Sequence, residues 1–179
     1  MIDRLVLQLP DLSARHGARR IDWSALSDGL GIDFPSDYKV LAERYATFSV
    51  DEFILVSTPA SGAEVDFISD IKFAWEIMED DVAEGDVPAD YLIRNSEGLE
   101  RAALLQWGGT PDGDQILWGT ASPDPNEWPV VFRSRSGGWW SYSEGLVAFL
   151  EGFYSGRISV PGLPQSLRRG PRKVSFHSF

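Results

Sequence analysis

Residues 104–132 read LLQWGGTPDGDQILWGTASPDPNEWPVVF, and this stretch decides the fold. Its apolar runs are short and rich in Trp, Ile, Val and Phe, while the segments between them are rich in Gly, Pro and Asp. Short β-prone runs separated by turn-forming residues are typical of strands joined by hairpins, not of helices. The stretch therefore predicts a small antiparallel meander, which further strands at 53–56 and 139–142 would extend.

Helical periodicity is present on both sides of the meander. Asp22 is a suitable N-cap for one helix, and Pro35 suits the first turn of a second helix whose apolar residues recur through Tyr45. Further amphipathic patterns cover 67–78 and 146–153. Because strands and helices do not alternate regularly, the sequence predicts an α+β fold with an antiparallel-rich mixed sheet flanked by helices.

The length of 179 residues suits one domain with a substantial hydrophobic core. Periodicity fades past Pro161, and the charged residues beyond Glu151 are all basic. We therefore expect one domain over residues 1–160, followed by a basic, flexible C-terminal tail over 161–179.

Composition excludes several classes of protein. No apolar run approaches the roughly 20 residues of a membrane span, and the N-terminal segment lacks the pattern of a secretory signal, so we expect a cytoplasmic protein without membrane contact. The chain has no cysteine, which removes disulfides and thiolate chemistry. A net charge of −11 disfavours DNA or RNA as a direct ligand, because a nucleic-acid surface must be basic.

The densest acidic segment runs from residue 76 to residue 90. Its negative potential could steer a basic protein partner, and Glu79, Asp80, Asp81 and Glu84 are the candidate contact residues. The alternative is a solvated helix face that only keeps the protein soluble.

Candidate catalytic groups are few. His16 and His177 lie in contexts that position neither ring, and no nucleophile elbow, phosphate loop, dinucleotide fingerprint or metalloprotease motif is present. Asp112 and Asp114 could bind a cation or share acid and base roles, but the Asp-Gly turn that joins two strands explains them as well. The sequence therefore predicts no catalytic residue, no cofactor and no metal.

The tryptophans of the meander allow two interpretations. Aromatic side chains can line a ligand groove, but burying three indoles would contribute on the order of 10 to 20 kcal/mol of gross stabilisation. A domain of this size can hardly leave them all exposed, so we expect Trp107, Trp118 and Trp128 in the core. Trp139 and Trp140 are adjacent and should lie on opposite faces of one strand.

Four segments together resemble a known family: IDWSALSDGLGIDFPSDYKVLAERY at 21–45, LLQWGGTPDGDQILW at 104–118, WPVV at 128–131 and LVAFLEGFYSG at 146–156. In order and spacing they are similar to the SUKH superfamily, which contains fungal cell-wall-synthesis regulators and bacterial immunity proteins. The resemblance covers about residues 20 to 157. Phe34 stands where the family commonly has Leu, and Ala46 where Gly is common; both are framework positions.

This resemblance implies an α+β fold and no catalytic residues. It also implies that the chain binds and neutralises a toxin domain, often a nuclease, whose basic groove an acidic protein can occupy. A regulatory scaffold for endogenous partners is the alternative, and an enzyme using Asp112 and Asp114 is a third hypothesis.

Overall fold

A computed structural model describes residues 2–14, 17–94, 98–168 and 172–177. Within these residues the chain forms five α-helices and nine β-strands. The helices are α1 (Ile2–Gln8), α2 (Trp23–Leu30), α3 (Ser36–Ala42), α4 (Glu64–Glu84) and α5 (Leu146–Tyr154). The strands are β1 (Phe48–Val50), β2 (Ile54–Val56), β3 (Leu92–Arg94), β4 (Glu100–Ala102), β5 (Leu104–Gly109), β6 (Gln115–Gly119), β7 (Val130–Arg133), β8 (Trp139–Tyr142) and β9 (Val174–Phe176).

Seven strands form one sheet in the order β8-β7-β6-β5-β2-β1-β9, and β3 and β4 form a separate hairpin. Every pairing among the described strands is antiparallel. The α+β class and the meander of β5 to β8 are therefore confirmed. None of the described helices is both long enough and apolar enough to cross a membrane.

The turn between β5 and β6 follows from its residues. Gly113 has a φ of +92°, a conformation that glycine adopts without steric strain, and its amide donates to the Thr110 carbonyl at 3.0 Å. Gly108 serves a different purpose, because a Cβ there would lie 2.5 Å from the carbonyl oxygen of Leu55 on β2. A side chain at Gly108 would push β5 away from β2.

The tryptophans of the meander are in the core, as predicted. Trp107 and Trp118 are each 1% exposed and Trp128 is 4% exposed. Trp107, Trp118 and Trp128 belong to one large apolar cluster, and Trp140 packs against it. Trp139 packs against a smaller apolar cluster on the other side of the sheet. The two adjacent indoles thus lie on opposite faces of β8.

The two faces of the sheet are covered differently. On the first face, Trp118 contacts Tyr38 of α3 with ring centroids 4.9 Å apart, and Trp107 contacts Phe149 of α5 at 6.4 Å. On the second face, Leu104 and Leu117 belong to the smaller cluster with Met78 of α4. Helix α4 therefore covers β5 and β6 from the side opposite to α3 and α5.

Helix α4 is longer than the periodicity predicted. It continues through Glu84, so most of the acidic segment lies within the helix, and Gly85 ends it with a φ of +81°. The indole of Trp75 donates to the Leu104 carbonyl at 3.0 Å and fixes the helix against β5. As a result, carboxylates occupy the last turn of α4, where they oppose the helix dipole.

Part of the predicted tail belongs to the sheet. Strand β9 pairs with β1, and the amide of Lys173 donates to the carboxylate of Asp51 at 2.8 Å while the Asp51 amide donates to the Lys173 carbonyl at 2.8 Å. The amide of Val174 donates to Asp11 at 3.0 Å. This strand could not be predicted from the sequence, because three residues are too few to show an alternating pattern. The structure thus differs from the expectation of a loose tail beyond residue 160.

Candidate partner-binding surface

The outward side of α4 carries two large apolar side chains that contact solvent. Phe73 is 63% exposed and Ile77 is 46% exposed. Successive residues of an α-helix advance by about 100°, so both lie within the same arc of about 100° on the helix surface. Five acidic residues share that arc: Asp66, Asp70, Asp80, Asp81 and Glu84. We call these seven residues the α4 face.

The α4 face borders an open part of the sheet. Side chains along a strand point alternately to the two faces of the sheet. On the second face, those under α4 are apolar, whereas those beside α4, toward β9, are mostly polar. Ser175, Ser49, Gln106 and Gln115 lie on this side with Leu55 among them. The amide of Gln115 donates to the Oε1 atom of Gln106 at 3.1 Å, which orients both side chains. The second face is thus apolar under α4 and polar beside it.

Two adjoining cavities lie over this polar strip. The first has a volume of about 570 Å³ and lies between α4 and strands β2 and β5. The second has a volume of about 640 Å³ and extends over the turns at Glu52 and Gly113. The two cavities share four lining residues: Leu55, Ser57, Gln106 and His177. Together they form a continuous groove along the sheet.

The four acidic residues predicted as contacts do not share one face. Asp80 and Glu84 are exposed on the α4 face, but Glu79 is exposed about 100° away from Asp80 on the side that lies farther from the groove. Asp81 is ion-paired with Arg133 of β7, whose guanidinium also lies over the ring of Trp139 at 5.1 Å. Asp81 therefore holds α4 against the sheet, and its charge is largely compensated within the fold.

Sequence reasoning missed Phe73, Ile77, Asp66 and Asp70 as surface residues. Their signal was present in the helical pattern, since both apolar residues fall outside the stripe of Phe67, Ile71, Ala74, Trp75 and Met78 that predicted the helix. An exposed apolar residue becomes noteworthy only when its position relative to the core is known. The polar strip of the sheet could not be found without the strand register.

Arg19 lines the first cavity, and its guanidinium is hydrogen-bonded to other residues of the fold. Its guanidinium donates four hydrogen bonds to oxygen atoms: Ala42 O at 2.6 Å, Tyr45 O at 2.7 Å, Thr58 Oγ1 at 3.2 Å and Pro59 O at 2.5 Å. Burial lowers the pKa of Arg19 from its usual value, and the nearby Tyr38 opposes that shift. The guanidinium thus joins the end of α3 to the loop that leads into α4.

Of the two histidines, only His177 lies within the described residues. His16 lies outside the described residues. His177 lies at the groove, where its Nε2 atom is 2.9 Å from the hydroxyl oxygen of Ser49 on β1. The sequence context of His177 did not reveal this contact, because 128 positions separate the two residues.

The Asp112–Asp114 segment forms the β5–β6 turn. The carboxylate of Asp114 accepts hydrogen bonds from the Thr110 hydroxyl at 2.8 Å and from the Arg135 amide at 3.0 Å, while the Asp112 side chain is exposed. Asp114 therefore ties the turn to the neighbouring β7–β8 connection. Among the described residues, no group of three or more His, Cys, Asp or Glu side chains is arranged to hold a metal ion.

Comparisons with family models, with curated proteins and with solved structures give no match to this chain. The geometry of the α4 face and the groove is therefore the basis for assigning a function.

Proposed function

We propose that this chain is a non-catalytic protein-binding module of the immunity type, which acts in the cytoplasm and neutralises a toxin domain by binding and occluding it. One observation carries the proposal: Phe73 and Ile77 are exposed among carboxylates beside an open groove. Apolar side chains that lose water on binding supply affinity, and surrounding charges supply steering and specificity. The α4 face combines the two properties.

The sign of the charge defines the class of partner. The chain carries a net charge of −11, and part of this charge is concentrated on the α4 face in the exposed carboxylates of Asp66, Asp70, Asp80 and Glu84. Such a surface attracts a basic protein and repels a polyanion. A nuclease has a basic substrate groove, so a nuclease-type toxin fits this electrostatic requirement, and the resemblance of the sequence to the SUKH superfamily supports the same class.

The partner can be identified by capture. The tagged protein should recover one basic toxin domain from a lysate of its own cells, and addition of the purified protein should block that toxin's activity. Recovery of several housekeeping proteins without inhibition of any toxin would instead favour the regulatory-scaffold alternative.

Removing the exposed apolar side chains should weaken the complex. We expect the double variant Phe73→Ala/Ile77→Ala to raise the Kd for the captured partner by about 30-fold, since each truncation at an interface centre costs more than about 1 kcal/mol. Calorimetric titration measures this Kd. Val65→Ala is the matched control, because Val65 is 73% exposed on α4 but lies outside the α4 face. Equal affinities for the double variant and the control would contradict the proposed interface.

Reversing charges should change the association rate. We expect Asp80→Lys/Glu84→Lys to slow association by about tenfold at low salt and to reduce its salt dependence, because long-range attraction governs electrostatic steering. Stopped-flow mixing with the captured partner measures both quantities. Glu79→Lys is the control for a reversed charge on the same helix outside the α4 face. A slower rate for Glu79→Lys than for the double variant would show that the other side of α4 faces the partner.

A further inference from the structure

The cavity between α4 and strands β2 and β5 has the composition of an anchor pocket. Its volume is about 570 Å³, within the range of roughly 300 to 1,000 Å³ typical of binding pockets. Phe67, Ile71 and Ala74 line its α4 side, and Leu55 lines its floor. Such a lining favours an apolar or aromatic group over a fully polar one.

Two carboxylates stand on the same wall. Asp66 and Asp70 line the cavity, are exposed, and lie four residues apart on α4, which places them one helical turn from each other. Neither is ion-paired with another described residue. Like charges at this spacing repel, and a cation placed between them relieves the repulsion.

The arginine at the cavity is already engaged. Arg19 donates its hydrogen bonds to four oxygen atoms of the fold. Its guanidinium therefore forms no ion pair with Asp66 or Asp70. An anionic occupant would face two carboxylates, whereas a cationic one would be stabilised by them.

The opposite rim can bind a peptide backbone. Ser57 and Gln106 line the cavity, and the Gln106 amide donates one hydrogen to the Gly108 carbonyl at 3.1 Å, which leaves its second hydrogen for another acceptor. Peptide groups present both donors and acceptors and match such a rim. An extended segment of a protein satisfies all three requirements of the cavity.

From these features we infer that the cavity binds an aromatic side chain of a partner protein, and that a lysine or arginine next to this side chain contacts Asp66 and Asp70. This inference rests on the proposed protein-binding function and specifies the sequence that would be bound: a basic–aromatic–basic segment. Tryptophan, tyrosine and arginine are the residues most enriched at the energetic centres of protein interfaces, which agrees with this composition.

The experiment uses blocked tripeptides as probes, so it does not require the natural partner. The full chain, labelled with ¹⁵N, is titrated with acetyl-Lys-Trp-Lys-amide, acetyl-Glu-Trp-Glu-amide and acetyl-Lys-Gly-Lys-amide. We expect the first peptide to shift the backbone amide resonances of residues 66–74 and of Gln106, with a Kd of about 1 mM as befits a small ligand. The acidic peptide and the glycine peptide should each bind at least about tenfold more weakly.

Two variants assign the binding to the cavity. Ala74→Leu places a larger side chain in the cavity and should abolish the shifts, while Ala83→Leu makes the same change at an exposed position of α4 outside the groove. Asp66→Asn/Asp70→Asn should weaken binding of the basic peptide by about fivefold, and Glu76→Gln is its control for loss of charge on α4. Thermal melts of all variants separate loss of binding from loss of folding.

The inference is overturned if the basic and acidic tripeptides bind equally, if neither produces shifts at 10 mM (about ten times the expected Kd), or if the shifts map away from the cavity. Failure of the proposed function has a different signature. If the tripeptides fail but capture of a toxin depends on Phe73 and Ile77, only the cavity inference is wrong. If the basic tripeptide binds as expected but no toxin is captured or inhibited, the proposed function is wrong.

Discussion

Replacing Trp118 with alanine is expected to lower the free energy of unfolding by about 4 kcal/mol. Trp118 is among the largest fully buried side chains, and its ring centroid lies within 6.4 Å of those of four other aromatic rings. Those rings are Tyr38 at 4.9 Å, Trp107 at 5.9 Å, Trp128 at 6.3 Å and Phe34 at 6.4 Å. The substitution removes these contacts at once and leaves a cavity between α3 and β6.

Urea unfolding followed by far-UV circular dichroism measures the change. Trp118→Phe is the matched control, because it keeps an aromatic ring and removes the indole N–H, which has no hydrogen-bond partner among the described residues. Because removing that donor breaks no hydrogen bond to a described residue, we expect the phenylalanine variant to lose less than about 2 kcal/mol. A loss below about 1.5 kcal/mol for the alanine variant would show that Trp118 is not central to the core.

Replacing Arg19 with alanine is expected to lower the free energy of unfolding by about 3 kcal/mol, the second largest effect. The four oxygen atoms that accept its hydrogen bonds belong to α3, to the segment after it and to the loop before α4, so they lose a shared donor. Hydrogen bonds to charged groups contribute about 1.5 to 3 kcal/mol each when formed singly, but neighbouring bonds are not additive and water can replace part of them.

Arg20→Ala is the control for the loss of one positive charge, because Arg20 is adjacent to Arg19 and its side chain is exposed. Arg19→Lys tests geometry, since an ammonium group cannot reach four acceptors at once; we expect it to lose at least half as much stability as alanine. Thermal unfolding and urea midpoints of the three variants decide the question. If Arg19→Ala were as stable as Arg20→Ala, the guanidinium would not be holding the loop.

The parts of the fold that could be predicted are those with local signals. Turn chemistry around Gly113 located β5 and β6, and the capping of Asp22, whose carboxylate accepts from the Ala25 amide at 3.0 Å, located α2. The strands β1, β3, β4 and β9 have three residues each, which are too few to show an alternating pattern, and β9 pairs with β1 from the opposite end of the chain. The shortest strands and the long-range pairing could therefore not be predicted.

The candidate site, like the fold, could be predicted only where its signals are local. Periodicity located α4 and the acidic segment on it, but the face that each carboxylate occupies depends on which side of the helix packs against the sheet. Asp81 looked equivalent to Asp80 in sequence, and only its ion pair with Arg133 removes it from the available surface. The groove could not be predicted from the sequence. Its floor includes residues of β2, β5 and β9, and these three strands are far apart in the chain.

The position of β9 beside β1 affects how the protein must be made. Ser49 and His177 are 128 positions apart, so a ribosome adding 5 to 20 residues per second completes β9 roughly 6 to 26 s after β1 has been synthesised. During that interval the outer edge of β1 has no partner strand, and unpaired strand edges promote association between nascent chains. Premature termination before residue 174 would make that exposure permanent, so truncated products should aggregate more readily than the full chain.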